Sequence, residues 1–445
     1  MNVKKNSQKK VLFLLVVLFI FIFVLVKSFR SSSQPNLLLI TVDSLPANRM
    51  EIYGYDKNTT PGISQWAKKA TIFTNVNITV PNTVPSMDTL MTGQHTFTSK
   101  ITQCLTQSID KNTITLASIL KKNNFVTGAF YTFANLLPKY SNLNTGFDTY
   151  SYINRENNYT DLIKESTNWL NKNINKRFFL WLYLRDPAVP FTPTADLQCK
   201  FNANYCDVIA SYSFGTWEKK TVKLQGCHDS TMRETAPIET LYDGEIAQTD
   251  RVVTTILNKL QESGLDKKTI VIFTSATGEG LDHNYYFYQG EVLYDSAVRV
   301  PLIIKNPLSK VGTKKIDRLI DNTDILPTIL DLLNVPSFRI KTDGKSFSSV
   351  FDNNFLSKLP FFQKGKEYTY SVNVALNKFS IFDGKYKYIY SLDKSCLYKN
   401  QKEELYDLEK DPKELHNIML DKSNDGIYAR LNSQLLRYLH KYKLL

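Results

Sequence analysis

Four short apolar runs constrain the fold of this chain more than anything else in it. Leu37–Val42 reads LLLITV and ends at Asp43. Phe178–Leu184 reads FFLWLYL and ends at Arg185-Asp186. Thr269–Thr274 reads TIVIFT and gives way to Ser275-Ala276-Thr277-Gly278, and Pro301–Ile304 is a fourth run. None alternates apolar with polar, so each fits a strand buried on both faces, as in a parallel sheet. Between them lie stretches of helical period. Thr115–Asn123 carries Leu116, Ile119 and Leu120 on one face, Asp243–Ser263 carries Ile246, Val253, Ile256 and Leu260, and Asp324–Leu333 is a third. Strands alternating with helices predict a wound α/β sheet, whose functional residues sit just past the carboxyl ends of the strands. Asp43, Asp186 and the SATGE stretch are the places to look. From about residue 365 the pattern changes to strict alternation in KEYTYSVNVA, KFSIFDG and KYKYIYSL. That predicts a small antiparallel sheet, followed by a terminal helix over Asp425–Tyr442. Residues 190–235 have no clear period and read as a long insertion near the site.

The N-terminus adds a second constraint. Val11 to Val26 is sixteen apolar residues without a break, about 24 Å as a helix at 1.5 Å per residue. Lys27 can snorkel, and Ser28-Phe29 can extend the span. Lys4, Lys5, Lys9 and Lys10 precede it, so the positive-inside bias keeps the N-terminus in the cytoplasm and exports the rest. The expected organisation is therefore a tip and single-pass anchor over 1–30, with membrane contact through 11–27. An α/β domain over 31–360 and a small sheet-and-helix subdomain over 361–445 follow. Of the 55 basic residues six lie in 1–30, where there are no acids, which leaves 49 against 42 acidic and a net +7 on the exported part. That mild excess suits an anionic ligand or surface, and no basic, aromatic-interleaved stripe points to nucleic acid. Five cysteines, at 104, 199, 206, 227 and 396, lack the paired spacing of a zinc site and allow one loop disulfide in the Cys199–Cys227 region.

Several longer blocks carry a resemblance. They are PNLLLITVDSL, YGYDKNTTPGISQWAKKATIFTNV, TVPSMDTLMTG, YDGEIAQTD, KTIVIFTSATGEGLDHN, LYDSAVRVPLIIK, TDILPTILDLLNVP with DGKSF, and ELYDLEKDPKELHNI. In this order, from about residue 35 to 420, the chain resembles the sulfatase family of the alkaline-phosphatase-like superfamily. The resemblance implies hydrolysis of sulfate or phosphate esters around a divalent cation. Calcium or magnesium, or less readily zinc or manganese, would be held by several carboxylates beside a Cys or Ser that is oxidised to formylglycine.

Position by position the resemblance breaks down at the centre. Asp43 matches the first metal-binding Asp, but Ser44 replaces the second. Thr83 stands at the nucleophile position and Met87 at the motif arginine. Ala276 and Thr277 replace a later Asp and His, Ala188 a substrate-facing His, and Gln289 a Lys. Oxidation of a threonine gives a ketone, so the formylglycine route is closed. Thr83 is either a nucleophile for metal-dependent transfer or a residue capping the next helix. Asp43 is either a lone metal ligand or a helix-capping remnant. Glu279, Asp282 and His283, with Asp88, are candidates for a rebuilt substrate or metal site. The leading expectation is a domain that binds an anionic or glycan ligand in the old cleft without a cofactor, and the rival is an active esterase or transferase that uses Thr83.

Overall fold

The structure, a computed structural model, describes residues 34–101, 107–154, 159–205, 236–282, 285–287, 290, 292–309, 311–336, 340–352, 365–373, 377–392 and 402–444. The expected anchor over 11–27 and the boundary near 360 lie outside these residues. Among the described residues no helix is long and apolar enough to cross a membrane.

Residues Asn36–Leu445 form one compact unit. Its main sheet is built from β1 (Asn36–Val42), β2 (Thr71–Asn77), β3 (Val126–Tyr131), β4 (Thr149–Tyr152), β5 (Phe178–Leu184) and β6 (Thr269–Ser275). A short hairpin, β7 (Gly280–Asp282) and β8 (Tyr285–Phe287), follows, and β9 (Leu302–Lys305) and β10 (Lys314–Asp321) rejoin the main sheet. The order across it is β10-β2-β9-β6-β1-β5-β3-β4. β1 lies at the centre and pairs in parallel with β5 on one side and β6 on the other.

The lack of alternation in the apolar runs now has its cause. Leu37 and Leu39 of β1, with Phe179 and Trp181 of β5, pack into one apolar layer. Leu38 and Ile40, with Phe178 and Leu180, pack into the layer on the opposite face. Every residue of β1, β5 and β6 is buried. One expectation fails: β9 runs antiparallel to both β2 and β6. An unbroken apolar run reports burial on two faces and carries no information about direction.

The expected helices are present with shifted ends. Leu116–Lys122 opens with a capping box in which Thr115 and Ser118 bond reciprocally. The long helix runs Ala236–Glu262, its first residue seven before the expected start at Asp243, because Pro237 is tolerated in a first turn. Ile325–Leu332 and Asp425–Lys441 complete the set. The alternating C-terminal stretches form an antiparallel sheet of β11 (Thr369–Asn373), β12 (Lys378–Phe382), β13 (Tyr386–Ser391) and β14 (Glu403–Asp407). Leu431, Leu435 and Leu439 of the terminal helix pack under it with Val372, Ile381 and Leu405.

Candidate functional site

The chain leaves β1 at Asp43, and the residues that meet it come from three other places. Thr83 is the first residue of the helix Thr83–Thr92, in which every side chain is buried. Thr277 follows β6 by two residues. There Gly278 presses its backbone against Ser296, where a Cβ would lie 2.1 Å from the carbonyl oxygen. Only glycine allows that approach, and it fixes where Thr277 stands. Tyr183 and Arg185 come from the carboxyl end of β5.

The geometry around Asp43 is a cage of donors. The Thr83 hydroxyl donates to both carboxylate oxygens, at 3.0 and 3.2 Å. The Thr277 hydroxyl donates to Oδ1 at 3.0 Å. The Ser44 backbone N–H is shared between Oδ1, at 3.1 Å, and Thr277 Oγ1, at 3.2 Å. Ser44 itself has φ 57°, a left-handed conformation uncommon outside glycine. It is held there from its other side by Tyr242, whose hydroxyl donates to the Ser44 carbonyl. Ser275 finishes the frame, accepting the Leu45 N–H at 3.1 Å and donating to the Thr277 carbonyl at 2.6 Å.

Asp43 is fully buried, and burial pushes its pKa up. Hydrogen bonding from Tyr183, Thr277 and Thr83, and the positive charge of Arg185, oppose that rise. A hydroxyl 3.0 Å from a carboxylate of raised proton affinity is the geometry of a base beside a nucleophile. It is equally the geometry of a buried acid made tolerable by local dipoles.

Both capping alternatives are corrected by the structure. The N-cap position of Thr83–Thr92 belongs to Asn82, and the Thr83 hydroxyl turns to Asp43 instead. The next helical turn after Asp43, Ala47–Arg49, has Pro46 at its N-cap and no side-chain cap. Glu279 is buried beside Tyr242, where its charge adds to the rise that burial imposes on the Tyr242 phenol. Asp88 is buried on the Thr83–Thr92 helix, and neither of its oxygens accepts a hydrogen bond. Its pKa rises to about 7 through burial. Asp186 is buried, and its backbone N–H donates to the Tyr159 hydroxyl at 3.0 Å. His283, Gln289 and the side chain of Asp282 lie outside the described residues. Cys199 is disulfide-bonded, and the other four cysteines also lie outside.

The sequence had brought Asp43 and Thr83 forward. It had marked Thr277 as the loss of a histidine and Arg185 as a strand end. Their positions past β6 and β5 were the available signal, because two parallel neighbours of β1 must deliver their next residues to the same edge as Asp43.

A divalent cation fits this donor set poorly. It needs about six oxygens, several of them anionic. Here the Asp43 oxygens already accept the Thr83 and Thr277 hydroxyls and the Ser44 N–H. Among the described residues no group of three or more His, Cys, Asp or Glu side chains is arranged to hold a metal ion.

Residues 35–335 match the model of the sulfatase family. The chain belongs to the sulfatase family. Residues 283–441 also match the C-terminal model of N-sulphoglucosamine sulphohydrolase. Among sulfatase relatives, arylsulfatase K of Gallus gallus is 22% identical over 88% of this chain and 80% of its own length. An arylsulfatase of Clostridium perfringens is 22% identical over 87% and 90%. The fold is shared with a protein solved in complex with its substrate D-glucosamine-2-N,6-O-disulfate. That match has a TM-score of 0.72 and 18% identity, and covers 92% of this chain and 98% of that one. It is shared as well with a phosphonate monoester hydrolase of Agrobacterium radiobacter, at a TM-score of 0.68 and 18% identity over 92% and 96%.

Proposed function

We propose that this sulfatase-family protein has given up the family's ester hydrolysis and serves as a binding domain for an anionic glycan, held by its N-terminal anchor on the outer face of a membrane. The observation that carries this reading is the occupied carboxylate: Asp43 spends its lone pairs on Thr83, Thr277 and the Ser44 backbone. The sugar-sulfate substrate of one protein of the same fold and the net positive charge of the part after residue 30 support the ligand class. The apolar run over 11–26, with lysines before it, supports the anchor.

One observation favours a second reading. Thr83 Oγ1 lies 3.0 Å from Asp43 Oδ2, so Asp43 could take the hydroxyl proton while Thr83 attacks sulfur or phosphorus and the ester bond breaks, its alcohol leaving with a proton from water. Among the described residues no cation cluster is placed to stabilise the transferred group, and the loss of one such stabiliser commonly costs roughly 10² to 10³ in rate.

Metal content and turnover of an aryl sulfate and an aryl phosphodiester separate the two. The binding reading expects substoichiometric metal and background turnover from the full chain in detergent. Stoichiometric metal, with turnover abolished by Thr83→Ala, would install the enzyme in its place.

A further inference from the structure

We propose that Arg185 is an anion subsite beside the closed centre, taking an oxyanion substituent of a glycan, either a sulfate ester or a uronate carboxylate. This rests on the glycan-binding reading above and names the group that would do the recognising.

Arg185 is pinned in place. Its backbone N–H donates to Thr132 Oγ1 at 2.9 Å, which ties the ends of β3 and β5 together. Its guanidinium is half-buried and donates through Nη2 to the Val189 carbonyl. Guanidinium has five N–H donors in a planar fork, and that carbonyl takes one of them. Among the described residues no carboxylate lies within ion-pair distance of Arg185. Its positive charge reaches Asp43, but the Asp43 oxygens are already filled by hydroxyl and amide donors.

Other arginines behave differently. Arg49, Arg251, Arg299 and Arg430 each pair with a carboxylate. Arg177 donates to the Leu333 carbonyl at 2.8 Å, where the helix Ile325–Leu332 ends. A cation at a helix C-terminus is accounted for by the exposed carbonyls and the dipole there. Val189 belongs to a loop, so nothing comparable explains Arg185. Asp43 balances the Arg185 charge only at a distance, and an anionic ligand group would pair with the guanidinium fork directly.

The surroundings suit a sugar. The Phe133 ring lies 6.0 Å from the Arg185 guanidinium carbon and stacks on Tyr183 with centroids 6.3 Å apart. At the same end of the sheet Tyr152 closes β4, is 42% exposed, and sits 5.8 Å from the Tyr131 ring. Aromatic faces provide an apolar platform, and a planar fork matches sulfate or carboxylate in two parallel hydrogen bonds.

Calorimetric titration of the full chain in detergent tests this. The probes are a heparin-derived tetrasaccharide, its desulfated form, which keeps the uronates, and a neutral tetrasaccharide. Wild type should bind the first. Arg185→Gln should weaken that binding roughly ten- to a hundredfold, and Arg185→Lys, which keeps charge without the fork, by less. Arg251→Gln should leave it unchanged, and circular dichroism should match wild type throughout. Loss of affinity on desulfation assigns sulfate, and retained affinity that is still sensitive to Arg185→Gln assigns carboxylate. Equal affinity in wild type and both Arg185 variants would overturn this subsite while leaving the glycan reading intact. Failure of wild type to bind any probe would overturn both.

Discussion

Asp43 is a buried acid at the head of the sheet. The Thr83 and Thr277 hydroxyls both converge on its carboxylate. Each is a hydrogen bond to a buried acid, so Thr277→Val should cost about 1.5–3 kcal/mol, read as a lowered urea midpoint at unchanged slope. Asp88 gives a sharper test. Its folded pKa is about 7 and its ordinary value 3.8, so the folded state holds a proton that the unfolded state has released. The stability from that proton is present in full below pH 4 and is lost as pH rises through 7. Wild type should therefore lose on the order of a few kcal/mol between pH 4 and 8, and the same urea titrations on Asp88→Asn should lack that limb. A wild-type-like limb in the variant would place the titration elsewhere. Asp43 and Thr83 were legible in the sequence because each stands at a strand end or in a motif. Thr277 and Arg185 were harder to see, because comparison with an expected ligand set records what is missing and says nothing of what the replacement bonds to.

At the scale of elements, the C-terminal sheet is fastened to the main domain by buried charge. Lys387 of β13 is almost wholly buried and bonds Asp295, at the start of the helix Asp295–Val298, as well as Glu414 at 2.9 Å. Glu414 also accepts the Asp295 N–H at 2.6 Å. Removal of one partner leaves the others buried and uncompensated, so Lys387→Met should cost about 3–5 kcal/mol. Limited proteolysis should then release the C-terminal segment first. Replacement of all three groups by apolar residues should be far milder, and equal damage from both would refute the account. A second fastening is aromatic. His95 bonds Tyr438 of the terminal helix and stacks 5.3 Å from Tyr442. Burial lowers the His95 pKa to about 4 from 6.5, so its neutral form is the one the fold accommodates. The corresponding stability is present above pH 6.5 and is lost as pH falls through 4. Tyrosine fluorescence of the helix contact should change over that window in wild type and stay flat in His95→Gln. The strands and helices of this region were readable from period alone. Their fastening was not, because Lys387 and Glu414 look like surface charges in a sequence and only the packing of two elements buries them.

Across the whole molecule, fold and site rest on different resources. The main sheet draws on dozens of apolar side chains in two layers, and no single substitution removes it. The chemistry that the resemblance implies would draw on a handful of positions, and here those hold Ser44, Thr83, Met87, Ala276 and Thr277. That asymmetry explains why the architecture was legible in the sequence while the working centre had to be read from coordinates. It also predicts independence from metal. A cation bound a thousandfold above its dissociation constant would add about 4 kcal/mol to stability, so millimolar calcium should raise the melting temperature of a metal-holding relative by several degrees. This chain should melt at the same temperature with calcium, magnesium or chelator. The same logic governs an attempt to restore activity. Thr83→Cys rebuilds the residue that maturation could oxidise, yet it leaves Ser44, Ala276 and Thr277 where the resemblance implies further ligands. The matured variant should therefore carry an aldehyde detectable by mass spectrometry and still turn over an aryl sulfate at background rate. Turnover from that single change would mean that the charge needed at the centre is supplied by residues other than the family's own, and the reading of Asp43 as an occupied, metal-free carboxylate would fall with it.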